Sequence, residues 1–540
     1  MIAIPFFLFS NSSAQSVLIP PSLPDQTLDY FDASPSHIIS TAMIESQATT
    51  TTLTAVLASH IPENSLMLYL TMDDGSPGWL RHEVIPTPMR VSWLDVAIAD
   101  EPNALGEEFH VVAVYMETDI TTGLCNLYLT EFHVDISSGS PIILSESTQQ
   151  IATNVPASSS PMIRIDALID DGTIGNGSLP EVKGFVMVYR DNNGNHVEIL
   201  DKLGNVVTTS PITTMLTDFV PSDVSATIEI VGSSFEIRAY IAGTNASPIS
   251  GTKAYLLEVD AINGNSLEDY TLHTTVGTSQ VFNPRVESFG AHDIESDAAK
   301  WCVAFTENNQ KVYIYRTINV PPPFVSGFPA NPSLAGSSPI SHEYPTVAAG
   351  LGPISGTPAT NYATNNQYSY AWGQPNIGVI YSDALEYDGT PVDTQSCNIV
   401  NQNSANLPTD PWDQISMSHS CNSGRGTIIV WSNGHTIEYK LRVDDTYEFR
   451  PGENDEERGI LTAGTNIYPN PAQDYIIVNN PPFGGNISIV NTLGQVKLET
   501  KINQAQPKMN IEHLPNGIYL VNIYNKYHKK IGEHKLIINK

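Results

Sequence analysis

The sequence predicts an all-β protein, on three observations. Helical periodicity is absent between Pro20 and Val443. Short alternating runs rich in Val, Ile, Tyr and Thr recur instead, separated by Gly, Pro, Asn and Asp, which is the pattern of strands joined by turns. One unit also repeats: an apolar strand, a turn, a second strand, and a turn that opens on Asp and closes on Gly.

The apolar strand appears first, and most weakly, as Leu66–Leu70. It returns as His110–Tyr115, Gly184–Tyr189, Phe235–Tyr240, Trp301–Phe305, Tyr368–Trp372 and Thr427–Trp431. The second strand and its turn run from Phe132–Asp135 to Gly139 and Ile142, from Ile199–Asp201 to Gly204 and Val206, and from Leu257–Asp260 to Gly264 and Leu267. A fourth copy runs from Ile380–Asp383 to Asp388–Val392. Asp starts such a turn through its side-chain acceptor, and Gly supplies the positive φ.

Seven copies spaced about 57 residues apart leave room for four short strands each. Residues 51–443 therefore read as a β-propeller of about seven blades, six or eight being equally compatible. The alternative is a row of tandem β-sandwiches, for which Pro321–Pro323 is the one plausible boundary. Residues 15–50 receive no assignment beyond room for a closing strand. Residues 444–464, with Asp444, Asp445 and Glu453–Arg458, read as an acidic, solvated linker.

At its start the chain carries an apolar run, Ile2–Phe9, then Ser12-Ser13-Ala14. This predicts a signal peptide over 1–14 cleaved after Ala14, although no Lys or Arg precedes the run. No other stretch approaches the roughly 18 apolar residues of a transmembrane segment.

The net charge is −32. From Thr465 onward eight Lys stand against four carboxylates, so the tail is +4 and the remainder −36. So acidic a body repels phosphate backbones, and nucleic acid is not an expected partner. The two parts suit different partners. Of the four cysteines, Cys125 and Cys302 lie in strand-like runs and read as buried thiols. Cys397 and Cys421 lie near strand ends and form a candidate disulfide in an oxidising compartment.

Chemistry is hard to find in the body. There is no Gly-x-Ser-x-Gly, no His-Glu-x-x-His and no phosphate-binding Gly-rich loop. Thr71–Trp79 resembles the Asp-box turn of sialidase-like propellers, but its Trp falls one place late and a structural turn is the better reading. Asp191–Asn195 and Asp170–Gly172 could ligate calcium, yet hairpin turns explain both without it. No catalytic residue and no cofactor is predicted. Glycoside chemistry needs a carboxylate pair, and with 57 acidic residues the sequence does not pick one out.

The tail is more specific. It reads Tyr468-Pro469-Asn470-Pro471-Ala472, then Tyr475–Val478, Ile487–Asn491, Leu493-Gly494-Gln495, Gly517-Ile518-Tyr519, and a Lys-rich finish through Leu536 and Ile538. Alternation predicts a small sandwich of Ig type, with Ile476/Val478, Ile487/Ile489, Ile518/Leu520 and Leu536/Ile538 each facing one way. These motifs, over residues 465–540, resemble the type A C-terminal sorting domain of the type IX secretion system of Bacteroidetes-type bacteria. The resemblance implies export through the periplasm and recognition by an outer-membrane translocon. The destination is then the medium or the cell surface. The resemblance says nothing of the body's activity; its lack of catalytic signatures and its repeated units make it read as a non-enzymatic propeller binding a glycan, peptide or protein. The alternative is an exported hydrolase or lyase acting on polysaccharide or peptide.

Overall fold

The computed structural model describes residues 25–30, 36–46, 51–61, 65–73, 78–85, 90–101, 107–170, 181–231, 234–247, 250–288, 301–308, 311–318, 324–329, 343–351, 366–374, 379–385, 398–399, 407, 414–419, 426–443, 466–468, 472–479, 486–491, 495–501, 508–524 and 530–539. The chain divides into two units. The larger, the body, holds the described residues from 25 to 443, and the smaller, the tail, those from 466 to 539. Both are all-β; a single 3₁₀ turn, Ala157–Ser159, is the only helical piece among the described residues.

The body opens with β1 (Gln26–Tyr30). A first sheet follows in the order β2 (Ser36–Glu45), β3 (Thr52–Ile61), β4 (Ser65–Met72), β5 (Leu80–Ile85). The second is β6 (Arg90–Glu101), β7 (Glu108–Thr118), β8 (Leu124–Asp135), β9 (Ile142–Pro156). Next come β10 (Met162–Asp170), β11 (Glu181–Asp191), β12 (Gly194–Leu200) and β13 (Val206–Pro211). The fourth set is β14 (Val220–Val231), β15 (Ser234–Thr244), β17 (Lys253–Asp260) and β18 (Asn265–Thr274), with the two-residue β16 (Ser250–Gly251) pairing forward onto β19. A short parallel contact, Ile169 with Thr227 and Asp170 with Ile228, joins the third and fourth sets into one eight-stranded sheet.

The fifth set is β19 (Val281–Ser288), β20 (Trp301–Glu307), β21 (Lys311–Ile318) and β22 (Phe324–Pro329). The sixth is β23 (Glu343–Leu351), β24 (Asn366–Gln374), β25 (Val379–Leu385) and β26 (Asn398–Ile399). The last runs β27 (Ile415–His419), β28 (Gly426–Asn433), β29 (Thr436–Val443), and its fourth strand is β1, antiparallel to β29. Residues 15–50 thus contribute two strands of the body.

Within each set burial grades outward. Second strands are buried on both faces, as in β7, where Val111, Val112, Ala113, Val114 and Tyr115 are all inside. That is why these runs are continuously apolar and stood out in the sequence. The outer strand β9 is largely exposed and correspondingly polar. Neighbouring sets share apolar layers: Val56, Tyr69, Val430 and Ile437 belong to one cluster, and Tyr240, Leu256, Val303 and Phe305 to another. First strands pack on first strands, β2 on β6, then β10, β14, β19, β23 and β27, and β27 packs again on β2.

Three of the Asp-to-Gly turns form as the sequence reads. Asp135 Oδ1 accepts the Ser137 N–H at 2.8 Å, Asp201 Oδ1 the Leu203 N–H at 2.9 Å, and Asp260 Oδ1 the Ile262 N–H at 3.0 Å. Gly139, Gly204 and Gly264 have φ of 81°, 74° and 72°. At Gly264 a Cβ would meet the Pro211 carbonyl oxygen at 2.2 Å, so no other residue fits without a shift. Two expectations need correction. Asp383 lies inside β25, not at a turn, and Asp388–Val392 lie outside the described residues. And Leu66–Leu70 is β4, the third strand of its set; the second strand is β3, whose small residues Thr54, Ala55 and Ala58 hide the resemblance.

The tail has two antiparallel sheets. One is β30 (Asn466–Tyr468), β31 (Tyr475–Asn479) and β34 (Lys508–Asn510); the other orders β33 (Val496–Lys501), β32 (Asn486–Asn491), β35 (Gly517–Tyr524) and β36 (Lys530–Ile538). Ile476/Val478, Ile487/Ile489 and Leu536/Ile538 all enter the shared core as alternation predicts. In β35, however, Tyr519, Val521 and Ile523 enter the core, while Leu520 is only half-buried. Four apolar residues in a row, Ile518–Val521, left the phase open in the sequence.

Candidate functional site

The polar feature of the body is a cavity of about 110 Å³ lined by β2, β6, β10, β14, β19, β23 and β27. Asp95, Asp166, Asp223 and Glu287 line it together with Arg164 and Arg285. Each acid interrupts an apolar first strand, and three of the four do the same job. A first strand has an edge whose N–H groups lack a ladder partner. Asp95 Oδ2 accepts the Ile165 N–H of the next first strand at 3.2 Å, Asp166 Oδ2 the Ala226 N–H at 2.9 Å, and Asp223 Oδ2 the Val286 N–H at 2.9 Å. Hydroxyls help: Ser40 donates to Asp95 at 2.6 Å and Ser225 to Asp166 at 2.8 Å.

Arg164 is 1% exposed and ties three sets together. From β10 it donates to the Leu94 carbonyl at 2.7 Å and the Ser222 carbonyl at 3.2 Å, and its guanidinium lies 4.7 Å from the Trp93 ring centre. Asp223 Oδ1 sits 3.3 Å from Arg285 and 4.0 Å from Arg164. Burial pushes the Asp166 carboxyl up to about 7, against the pull of its donors. Burial also lifts Asp223 to about 6, with Arg285 and Arg164 opposing. Glu287 is driven well above the usual carboxylate range by burial and by the charges of Asp166, Asp223 and Asp95.

Size limits what this cavity can hold. Ordinary ligand pockets span ~300–1,000 Å³, while a water occupies ~30 Å³. About 110 Å³ accommodates a few waters, not a sugar ring with its neighbours. Sequence reading missed these residues, although two of them left a signal, an acid flanked by apolar residues in the strand before a repeated apolar run: Leu94-Asp95-Val96-Ala97 and Ile165-Asp166-Ala167-Leu168.

Other residues singled out in the sequence have structural partners. Asp191 Oδ1 accepts the Asn193 N–H at 2.7 Å and lies 2.9 Å from His196 Nε2, closing the β11–β12 hairpin. Asp170 ends β10, while Asp171 and Gly172 lie outside the described residues. Thr71 donates to the Gly78 carbonyl at 3.0 Å, and Trp79 packs edge-on against Tyr439, which fits a structural turn. Cys125 and Cys302 are buried; Cys397 and Cys421 lie outside the described residues. Among the described residues no group of His, Cys, Asp and Glu has metal-holding geometry, and no helix is long and apolar enough to cross a membrane.

In the tail, Tyr468 ends β30, whereas Pro469, Asn470, Pro471, Leu493 and Gly494 lie outside the described residues. Ala472 is fully buried and stitched to the last strand: its N–H donates to the Ile537 carbonyl at 2.8 Å, and its carbonyl accepts the Asn539 N–H at 2.9 Å. Gln495 closes the β32–β33 turn, its N–H donating to Asn491 Oδ1 at 2.9 Å. Gly517, Ile518 and Tyr519 pair with Ile538, Ile537 and Leu536, and the Tyr519 hydroxyl donates to the Pro515 carbonyl at 3.0 Å. Of the described motif residues, Ala472 and Gly517–Tyr519 bond to the last strand, while Gln495 sits at a separate turn.

The chain is thus an acidic all-β body followed by a basic two-sheet module at its C-terminal end. Residues 466–539 match the family of secretion system C-terminal sorting domains. That domain implies export by the type IX route, to the cell surface or beyond it. No curated protein matches the chain. Among solved structures, PorZ of Porphyromonas gingivalis, titled an essential bacterial surface component of the type-IX secretion system, is similar at 9% identity, over 94% of this chain and 93% of that one, with a TM-score of 0.15. Prolyl oligopeptidase B of Galerina marginata is similar at 8% identity, over 88% of this chain and 54% of that one, with a TM-score of 0.33. At these scores neither likeness bears on function.

Proposed function

We propose that this chain is a type IX cargo whose body is a seven-bladed β-propeller that binds a ligand outside the cell. The observation that carries it is the sorting-domain match over 466–539. Seven four-stranded sets, a succession of first-strand contacts that returns to β2, and a last set completed by β1 support the propeller. The tail then engages the outer-membrane translocon, and the apolar run at 2–9 acts as the leader for the first membrane. The acidic body favours a neutral glycan, a peptide or a cationic protein as ligand. A reporter fused to Thr465–Lys540 should reach the surface of a cell possessing the type IX machinery; retention in the periplasm sinks the reading.

A second reading, an exported hydrolase or lyase, draws on the convergence of four carboxyls with two arginines. It requires Asp166→Asn to abolish release of product from a polysaccharide or peptide panel by the purified protein. Absence of any release by the wild-type chain would retire it.

A further inference from the structure

Four carboxyl groups share the body cavity with two guanidiniums, and their donors are unevenly divided. Asp95 takes the Ser40 hydroxyl and the Val96 and Ile165 N–H groups. Asp166 takes the Ser225 hydroxyl and the Ala167 and Ala226 N–H groups. Asp223 takes the Val286 N–H and both guanidiniums. Glu287 has only Ser225 Oγ, at 3.5 Å, the outer limit of a hydrogen bond.

A serine hydroxyl has one hydrogen to give. That hydrogen has nearer partners in Asp166 and Ser288 Oγ, each 2.8 Å away, and the same oxygen accepts the Ser288 N–H at 2.9 Å. An ionised Glu287 would therefore face three aspartates with no firm protein donor of its own. A protonated Glu287 carries no charge for the neighbouring aspartates to oppose and needs no donor. Among the described residues the charged or titratable groups on the cavity wall are Asp95 from β6, Arg164 and Asp166 from β10, Asp223 from β14, Arg285 from β19, where it pairs with Asp223, and His419 from β27; β2 and β23 add Ser40, Thr41, Thr346 and apolar residues.

We propose that Glu287 carries a proton in the folded body at neutral pH, and that its ionisation destabilises the packing of the inner strands. Such a cavity makes the body a proton-linked structure, firmest in a mildly acidic medium. The upward displacement of Glu287, with those of Asp166 and Asp223, agrees. The sign follows from linkage: carboxyls raised on folding contribute stability that is complete below their unfolded values and lost as pH rises through the folded ones.

The test compares the full chain with Glu287→Gln, which mimics the protonated acid. In infrared difference spectra at neutral pH, wild type should show protonated-carboxyl absorbance beyond what Asp166 and Asp223 supply, and the variant should lack that excess. The melting temperature of wild type should fall between about pH 5 and about pH 8.5, and that fall should flatten in the variant. Identical spectra, or parallel melting curves, would overturn the proposal. Should Glu287→Gln not fold, Asp166→Asn serves. Removing that neighbouring charge should move loss of the band to lower pH, and an unmoved band would be equally fatal.

Discussion

The tail's two sheets meet across Ile476, Val478, Ile487, Ile489, Val521 and Leu536, whereas the body's first strands meet across Asp95, Asp166, Asp223 and Arg164. The difference follows from what each junction must satisfy. Sheets laid face to face have their backbones already paired, so apolar side chains suffice. First strands laid beside one another present unpaired N–H edges, and a short carboxylate bridges three of these gaps while apolar layers do the packing further out. A polar centre in the body is therefore as much architecture as chemistry.

The largest test of this contrast is on the apolar side. Deleting Lys535–Lys540 removes Leu536 and Ile538, both buried, and the strand that holds Ala472. Each buried aliphatic side chain is worth ~2–5 kcal/mol. The tail should lose its fold by limited proteolysis, and the protein should accumulate in the periplasm. Normal surface delivery of the truncation would contradict the sorting role.

The polar side should break nearly as hard. Arg164→Ala leaves Asp223 short of a cation and two carbonyls short of a donor, at ~3–5 kcal/mol for a buried pair. Chemical denaturation of the body should show it. A loss below ~1 kcal/mol, the size of a surface pair, would mean the arginine is not a structural tie.

A pH test separates the cavity from another buried pair. His37 and His60 touch through their Nδ1 atoms at 2.8 Å, and burial depresses them to about 4 and about 2. Lowered histidines contribute stability that is present above their unfolded value and lost as pH falls, here from about 6.5 toward about 4. The stability difference between wild type and His60→Asn should therefore change on the acid side and stay level above about pH 7. A difference that is constant throughout would refute it. The smallest effect belongs to Lys508, whose ammonium lies 3.8 Å from the Tyr475 ring centre on the tail surface. Lys508→Ala should cost ~0.5–1 kcal/mol of tail stability in a melting experiment, and no more.

Much of the fold was legible because second strands, buried on both sides, write continuous apolar runs such as Val111–Tyr115 and Ile428–Trp431. The Asp-to-Gly turns were legible because their geometry demands those residues. The first set was read one strand out of phase, since β3 uses Thr and Ala where the others use larger side chains. The inner aspartates were not legible as a group. Asp95 and Ile165 are 70 positions apart, and only the packing of one first strand on the next brings them together. The sorting motif stood out in the sequence, while the joint it builds, Ala472 against Ile537 and Asn539, needed coordinates.

The pairing of β1 with β29 has a mechanical side. Gln26 lies opposite Tyr439 and Tyr30 opposite Thr436, so the incoming and outgoing ends of the body leave this ribbon at the same end. Traction on those two ends would peel the hydrogen bonds one rung at a time instead of shearing them together. The stitch that fastens the earliest strand to the latest set is therefore the first to yield under a pull, with the Asp25–Lys440 contact at 3.3 Å as its opening rivet.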